Sequence, residues 1–281
     1  TGWTVIPYST LWSNTGHDLG VDPVADIILR LEEGLVRNLP ADELPVHPSH
    51  TQFPGEVPAN ATRITRTVTV NGTQSGLPSN FGYSGARSSI RMTTGLYAAP
   101  GEVITVTVSQ ELADSGIYIL VGAHSDGLWG KDIIKRHSSI TRWWSISDPV
   151  SEVGNAFGGP IYVGIPAGST FGEIDIEISG AVRAPMFILG VTSDFQWETT
   201  ERYNPAPWTE LVSNNFIMTV PSGQIRDLDN ASALMQWWDQ ALSMEHSLYG
   251  FSPWPRVERA VFDAQISAGW MHSGYPFMAH D

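Results

Sequence analysis

An α+β fold is predicted by three textures that follow one another along the 281 residues. A segment of helical period gives way to a long region of period-two apolar runs separated by turn residues, and the last third reads strand, helix, strand. The expected architecture is an N-terminal helical arm, an antiparallel β-sandwich, and the opening part of a second unit that the chain does not close. With 42% apolar residues and 11 Trp, the sequence can fill a substantial core, so disorder is not expected.

The helix of the arm is read from Asp22 as cap, Pro23 at the first helical position, and Val24, Ile27, Ile28, Leu31 and Leu35 at helical spacing. It is expected to stop near Asn38-Leu39-Pro40. The proline-punctuated stretch His47-Pro48-Ser49-His50 and Phe53-Pro54-Gly55 follows as a linker, which bounds an arm over residues 1–57.

Short strands are expected across 58–190. Ile64, Val68 and Val70 alternate with Thr65, Thr67 and Thr69, and Val103 to Val108 alternates in the same way. Ile117–Val121, Ile161–Val163 and Met186–Leu189 are apolar on both faces, which suits strands covered on both sides. Turns are expected at Asn71-Gly72, Pro100-Gly101, Ser115-Gly116, Gly158-Gly159 and Ala167-Gly168, a spacing that predicts the sandwich. From 191 to 281 the sequence offers a Trp- and Pro-rich connector, a strand over Asn215–Val220, and a helix near 230–248 with Asp229 or Asn230 as cap and Gly250 just past its end.

A formal charge of −14 would repel phosphate backbones, which argues against nucleic-acid binding. No run approaches the roughly 18–20 consecutive apolar residues of a membrane span. The first residue is Thr rather than Met, with no basic-then-apolar leader, so any export signal is expected to lie upstream or to have been removed. The absence of Cys leaves His, carboxylates and hydroxyls for chemistry.

None of the eight His stands in H-E-x-x-H, and no Ser-His-Asp set, phosphate loop or dinucleotide fingerprint is present. His47 and His50 could ligate a metal from a loop, but two ligands do not make a site, and a polar linker is the simpler reading. Catalytic and metal-binding residues are therefore assigned to none. His272 and His280 share a face only if the strand between them is unbroken, which Pro276 opposes. Glu173, Asp175 and Glu177 alternate with Ile174, Ile176 and Ile178 as a solvated strand face; a calcium site is the sharper alternative. Trp143-Trp144 could stack on sugars or pack in a core. Trp129, beyond the Asp126-Gly127 turn, is the glycan-binding candidate, and Trp237-Trp238 is read as core.

Eight motifs stand in order over about residues 45–281. They are Thr94-Gly-Leu-Tyr-Ala-Ala-Pro-Gly-Glu102, Gly122-Ala-His-Ser-Asp126, Phe157-Gly-Gly-Pro-Ile-Tyr162, Ile178-Ser-Gly-Ala181, Ala184-Pro-Met-Phe187, Pro207-Trp-Thr-Glu-Leu211, Thr219-Val-Pro-Ser222 and Gly269-Trp-Met-His-Ser-Gly-Tyr-Pro276. Together they resemble the enhancin and enhancin-like, mucin-targeting zinc metallopeptidases, in the part that precedes the H-E-x-x-H helix.

The resemblance implies a β-sandwich accessory domain over 58–190 and the start of a gluzincin-like catalytic domain over 191–281. It also implies a secreted or cell-surface hydrolase of glycoproteins such as mucins, with zinc in the complete family member. Because the zinc helix is absent from these residues, the chain is expected to bind no catalytic zinc and to be inactive alone. The stretch Gly269 to His280 resembles the rim or edge strand of the cleft, so Trp270, His272, Gly274, Tyr275 and Met278 are the substrate-binding candidates. The expected partners are a glycoprotein or mucin substrate and the C-terminal remainder of the same protein. A non-catalytic glycan- or protein-binding module is the alternative.

Overall fold

The computed structural model describes residues 17–20, 22–75, 89–250 and 256–281. Strand β1 (His17–Asp18) precedes helix α1 (Pro23–Asn38), whose first turn is closed by the Asp22 carboxylate accepting from the Ala25 N–H at 3.0 Å. The helix stands where its cap and period predict it, but the face it buries is another one. Ala25, Leu29, Glu32 and Val36 point inward, while Val24, Ile27, Leu31 and Leu35 are 47–65% exposed. Helical spacing identifies a helix without saying which stripe meets the core.

The β-rich region follows as β2 (Ile64–Thr73), β3 (Ile90–Ala98), β4 (Ile104–Thr107), β5 (Tyr118–Val121), β6 (Ile133–Ile134), β7 (Arg142–Ser145), β8 (Val150–Val153), β9 (Gly159–Ile165) and β10 (Thr170–Arg183). Except for β6, which pairs with β1, these form one antiparallel sheet in the order β7-β5-β9-β3-β10-β4-β8, with β2 also on β10. The long strand β10 pairs with β2 and β4 along one stretch and with β3 at its end, so it joins two leaves. Val68, Val106 and Ile176 from one leaf and Leu96, Ile119 and Val163 from the other belong to one core cluster.

Alternation along β10 puts Ile174, Ile176 and Ile178 in that core and leaves Glu173, Asp175 and Glu177 exposed, as the period of two requires. β9 is buried along its whole length, in keeping with its apolar run. Asn71-Gly72, read from sequence as a turn, instead continues β2. The irregularity lies opposite, where the register jumps from Thr170↔Thr73 to Glu173↔Asn71 and Gly172 takes φ 72°.

The last third contains β11 (Met186–Ile188), α2 (Asp194–Thr199), β12 (Trp208–Val212), β13 (Phe216–Pro221), α3 (Ala231–Tyr249), β14 (Glu258–Asp263), β15 (Met271–His272) and β16 (Phe277–His280). The second sheet runs β11-β12-β13-β14-β16-β15, with parallel pairs at β11–β12, β13–β14 and β14–β16. The whole is a mixed α+β structure dominated by antiparallel pairing.

Helix α3 carries the expected caps. The Asn230 side chain accepts from the Ala233 N–H, and Gly250 closes the other end at φ 68°. Its paired tryptophans do not share a fate: Trp238 stacks on Phe216 at 4.5 Å, while Trp237 is 58% exposed. Neighbours on a helix point about 100° apart, so both cannot face the sheet.

Two buried ion pairs lie where the second sheet meets the rest of the structure. Arg136, from the segment after β6, binds Asp263 at the end of β14 through two bonds of 2.7 Å, with both side chains fully buried. Arg259 on β14 binds Glu210 on β12 and also donates to Thr93 Oγ1 of β3 at 2.7 Å. Leu120 and Tyr162 of the first sheet share a further cluster with Val261 and Met278 of the second and with Ile266 in the segment after β14.

Candidate functional site

Strand β15 lies at the outer edge of the second sheet and pairs with β16 alone, through Met271↔Ala279 and His272↔Met278. Its other edge has no strand partner among the described residues, so it presents backbone N–H and C=O groups outward. Gly269 (φ 59°) and Gly274 (φ 148°) bracket the strand in conformations that favour glycine. Trp270, between them, is 83% exposed, and Met271 is also exposed.

A carboxylate from the first sheet's loops fixes this edge. His272 Nε2 is 2.7 Å from Asp126 Oδ2, the same oxygen accepts from the Ser267 N–H at 2.7 Å, and His272 Nδ1 is 3.0 Å from the Ser273 carbonyl. Burial opposes charge on the His272 ring, but the Ser273 carbonyl and Asp126 outweigh it and raise the pKa above its ordinary value. For Asp126, burial acts upward, and the Ser267 N–H and His272 bonds overcome it to lower the carboxylate's pKa.

The pair therefore contributes most where both are charged. Its stabilisation is complete below the ordinary histidine value of about 6.5 and is lost as pH rises through the higher folded pKa. It is lost at the acid end as pH falls below about 3.8 through the lower folded Asp126 pKa. Hydrogen-exchange protection across residues 267–280, taken relative to the intrinsic rate at each pH, is expected to be highest within that window and to fall on the alkaline side. Asp126→Asn should abolish this pH dependence.

Tyr275 follows the Gly274 turn. Its hydroxyl accepts from the Arg91 N–H at 3.2 Å, and the Arg256 guanidinium lies 3.9 Å above its ring. With Asn71, Gln74, Met92 and Met186 these residues line a cavity of about 320 Å³ between the two sheets.

The sequence-predicted residues thus part company. Trp270, His272, Gly274 and Tyr275 surround β15 without sharing a face: His272 meets Asp126, Tyr275 enters the cavity between the sheets, and Trp270 lines a separate surface with Met218 and Trp238, whereas Met278 is 1% exposed and packs into the core between the sheets. A strand's side chains alternate, and Met278 points to the covered face. Trp129 is half-buried: its indole N–H donates to Glu33, and the Arg30 guanidinium sits 4.3 Å over its ring. Trp143 is exposed, while Trp144 donates to the Gly154 carbonyl at 2.9 Å.

Sequence reasoning did not single out Asp126 as the anchor of His272, although the Gly122–Asp126 motif contains it. It also did not bring together Glu32, His47 and His137, whose ligating atoms all lie within 4.8 Å of one another. His124, in the same motif as Asp126, is buried, and burial pushes its pKa down to about 4. The H-E-x-x-H set of the enhancin-like enzymes has no counterpart in these residues, so no catalytic step through zinc can be built on them.

Among relatives, TRPM8 channel-associated factor 2 from Bos taurus is 38% identical over 191 residues, which is 67% of this chain and 21% of that protein. The chain thus spans about a fifth of the length of the curated relatives it matches. The ZmpB metallopeptidase from Clostridium perfringens superposes with a TM-score of 0.58 at 15% identity, covering 76% of this chain and 49% of that one. The M60 catalytic domain of Clostridium perfringens ZmpC, solved in complex with the sialyl T antigen, gives 0.58 at 13% identity, over 76% and 48%. No described helix is long and apolar enough to cross a membrane. Residues 59–179 match the N-terminal domain of M60-like peptidases and residues 180–281 match Peptidase M60, enhancin and enhancin-like, so the chain belongs to the M60 enhancin-like peptidase family.

Proposed function

We propose that this chain is the N-terminal portion of a secreted zinc metallopeptidase of glycoproteins such as mucins, and that the β15 edge forms one wall of its substrate cleft. The observation that carries the reading is the outer edge of β15, which has no strand partner among the described residues and is flanked by exposed Trp270 and the Gly274 turn, on a sheet whose sequence matches Peptidase M60. An extended peptide can add to such an edge through main-chain hydrogen bonds, while an indole offers a flat apolar face to a sugar.

On this reading residues 1–57 are an arm, 58–190 a β-sandwich accessory domain, and 191–281 the opening of a gluzincin-like catalytic domain. Zinc and its H-E-x-x-H ligands then belong to sequence that follows. Trp270, His272, Gly274 and Tyr275 shape the cleft, and Met278 contributes only backbone. Trp129 is a weaker glycan contact, because Glu33 and Arg30 already engage its N–H and one ring face.

The test is O-glycoprotein cleavage by the longer protein carrying this chain and its continuation, with zinc supplied. Trp270→Ala is expected to raise KM about tenfold, equivalent to about 1.4 kcal/mol of lost binding, with little change in kcat. Absence of cleavage by a zinc-loaded protein that contains H-E-x-x-H would overturn the peptidase reading.

A second reading is favoured by the relatives of 35–38% identity, named for association with the TRPM8 channel. On it the chain is a non-catalytic module that binds a membrane protein or its glycans. Zinc-independent binding to such a partner, with no proteolysis, would favour it.

A further inference from the structure

We propose that the cavity between the two sheets binds a small monocarboxylate with an apolar chain, and that Arg91 meets its charge. At about 320 Å³ the cavity stands at the lower end of the range of small-molecule pockets, about 300–1,000 Å³. Exposed Asn71 and Thr73 of β2 stand on its solvent side. Most of its wall is apolar: Ile90 and Met92 come from β3, and Ile188, Val212 and Ile217 come from β11, β12 and β13. An alkyl chain laid there exchanges water for apolar side chains of both sheets.

The charged lining has one sign. Arg91 and Arg256 line the cavity and no Asp or Glu does among the described residues, in a chain of 29 acidic and 15 basic side chains. The two arginines are held differently. Arg256 pairs with Glu258 at 2.8 Å and lies over the Tyr275 ring. Arg91 is 7% exposed and forms no ion pair among the described residues. Its Nη2 donates to Ser125 Oγ at 3.3 Å, its guanidinium lies 5.2 Å from the centre of the Trp143 ring, and its Nη1 has no hydrogen-bond partner among the described residues. A guanidinium taken out of water without a counter-charge is costly to bury, and an incoming carboxylate supplies both the charge and the acceptors.

Two neighbours favour the same head group. Gln74, one position beyond β2, continues the inward alternation of Val68 and Val70; it is 2% exposed, and its Nε2 has no hydrogen-bond partner among the described residues. The Tyr275 hydroxyl accepts from the Arg91 N–H at 3.2 Å, which leaves its own O–H to donate. Donors from β3, the end of β2 and the Gly274 turn thus border one cavity. One unbalanced positive charge matches one negative charge, so a carboxylate fits where a doubly charged phosphate would leave a surplus charge buried. Apart from Tyr275 the site shares no residue with the β15 edge, and its ligand does not depend on peptidase activity.

Sodium octanoate and octanol would be titrated separately into the protein by isothermal calorimetry. Octanoate should bind with one-to-one stoichiometry and about tenfold or more tightly than octanol. Arg91→Met should remove that preference, weakening octanoate about tenfold while leaving octanol unchanged. Equal affinity of the unaltered protein for the two would overturn the role given to Arg91, and no saturable octanoate binding at millimolar concentration would overturn the site. Because Arg91→Met can prevent folding, anomalous diffraction from crystals of the unaltered protein with ω-bromo-octanoate provides a second test. A bromine peak against Met92 and Ile188 supports the site; no peak, or a peak elsewhere such as the apolar surface beside Trp238 and Trp270, overturns it.

Discussion

Asp263→Ala is expected to destabilise the protein by about 3–5 kcal/mol, because it strands the Arg136 guanidinium in a site with no solvent exposure. Two bonds of 2.7 Å hold Arg136 Nε and Nη2 on the two Asp263 oxygens, and the same guanidinium donates to the carbonyls of Asp126 and His137. Losing the carboxylate removes the balancing charge without removing the buried cation. In thermal denaturation a loss of this size corresponds to a fall in melting temperature of roughly 6–20 °C for a chain of this length. The double replacement Arg136→Met with Asp263→Leu should recover most of it, since apolar side chains avoid the desolvation penalty. If Asp263→Ala alone left the melting temperature unchanged, the pair would not be what holds the second sheet against the rest of the structure.

Gly159→Ala is expected to cost about 3 kcal/mol or more, through two effects acting together. Gly159 has φ 150°, a region that L side chains rarely adopt, and an added Cβ would lie 2.5 Å from the Gly122 Cα and 2.6 Å from its nitrogen. The obstacle is backbone, which cannot swing aside as a side chain can. Denaturant titration would read the loss as a lower midpoint, and a midpoint equal to that of the unaltered protein would show that β9 relaxes at little cost. Gly168→Ala is a useful comparison, with φ 87° but open space around the added atom; its smaller loss would isolate the dihedral contribution.

The same glycine shows why some of the fold was legible and some was not. Phe157-Gly-Gly159-Pro reads from sequence as a turn beside an apolar run, and β9 does begin at Gly159. The chain segment it touches, Gly122, is 37 residues away, so the steric reason for the glycine is invisible in one dimension. Helix α1 divides in the same manner. Asp22, Pro23 and the spacing of Val24 to Leu35 specify a helix, because cap and period act within a few residues. Its orientation depends on the alternative face, where Ala25, Leu29 and Val36 fit the space offered by distant segments.

The candidate site follows the same division. Gly269, Gly274 and Pro276 announce local irregularity around Trp270, His272 and Tyr275, and the structure turns that irregularity into the β15–β16 hairpin. Which side chains face outward was not legible for Met278, since the direction of alternation is set by the register against β14 and β15. The partner of His272 lies 146 positions away, and nothing in local spacing selects Asp126 from the other carboxylates.

The sequence by itself determined the caps of α1 and α3, several strands (β2, β4, β5, β9, β11 and β13), the α+β order and the family, because backbone propensity, capping and motif order are local or additive along a chain. Only the tertiary structure decided which face of α1 is covered, how β10 joins two leaves, and how Asp126 meets His272. It likewise decided that Glu32, His47 and His137 converge. These depend on long-range packing, in which a burial or a charge is stabilised by whatever segment arrives opposite it, and that choice is made by the whole fold.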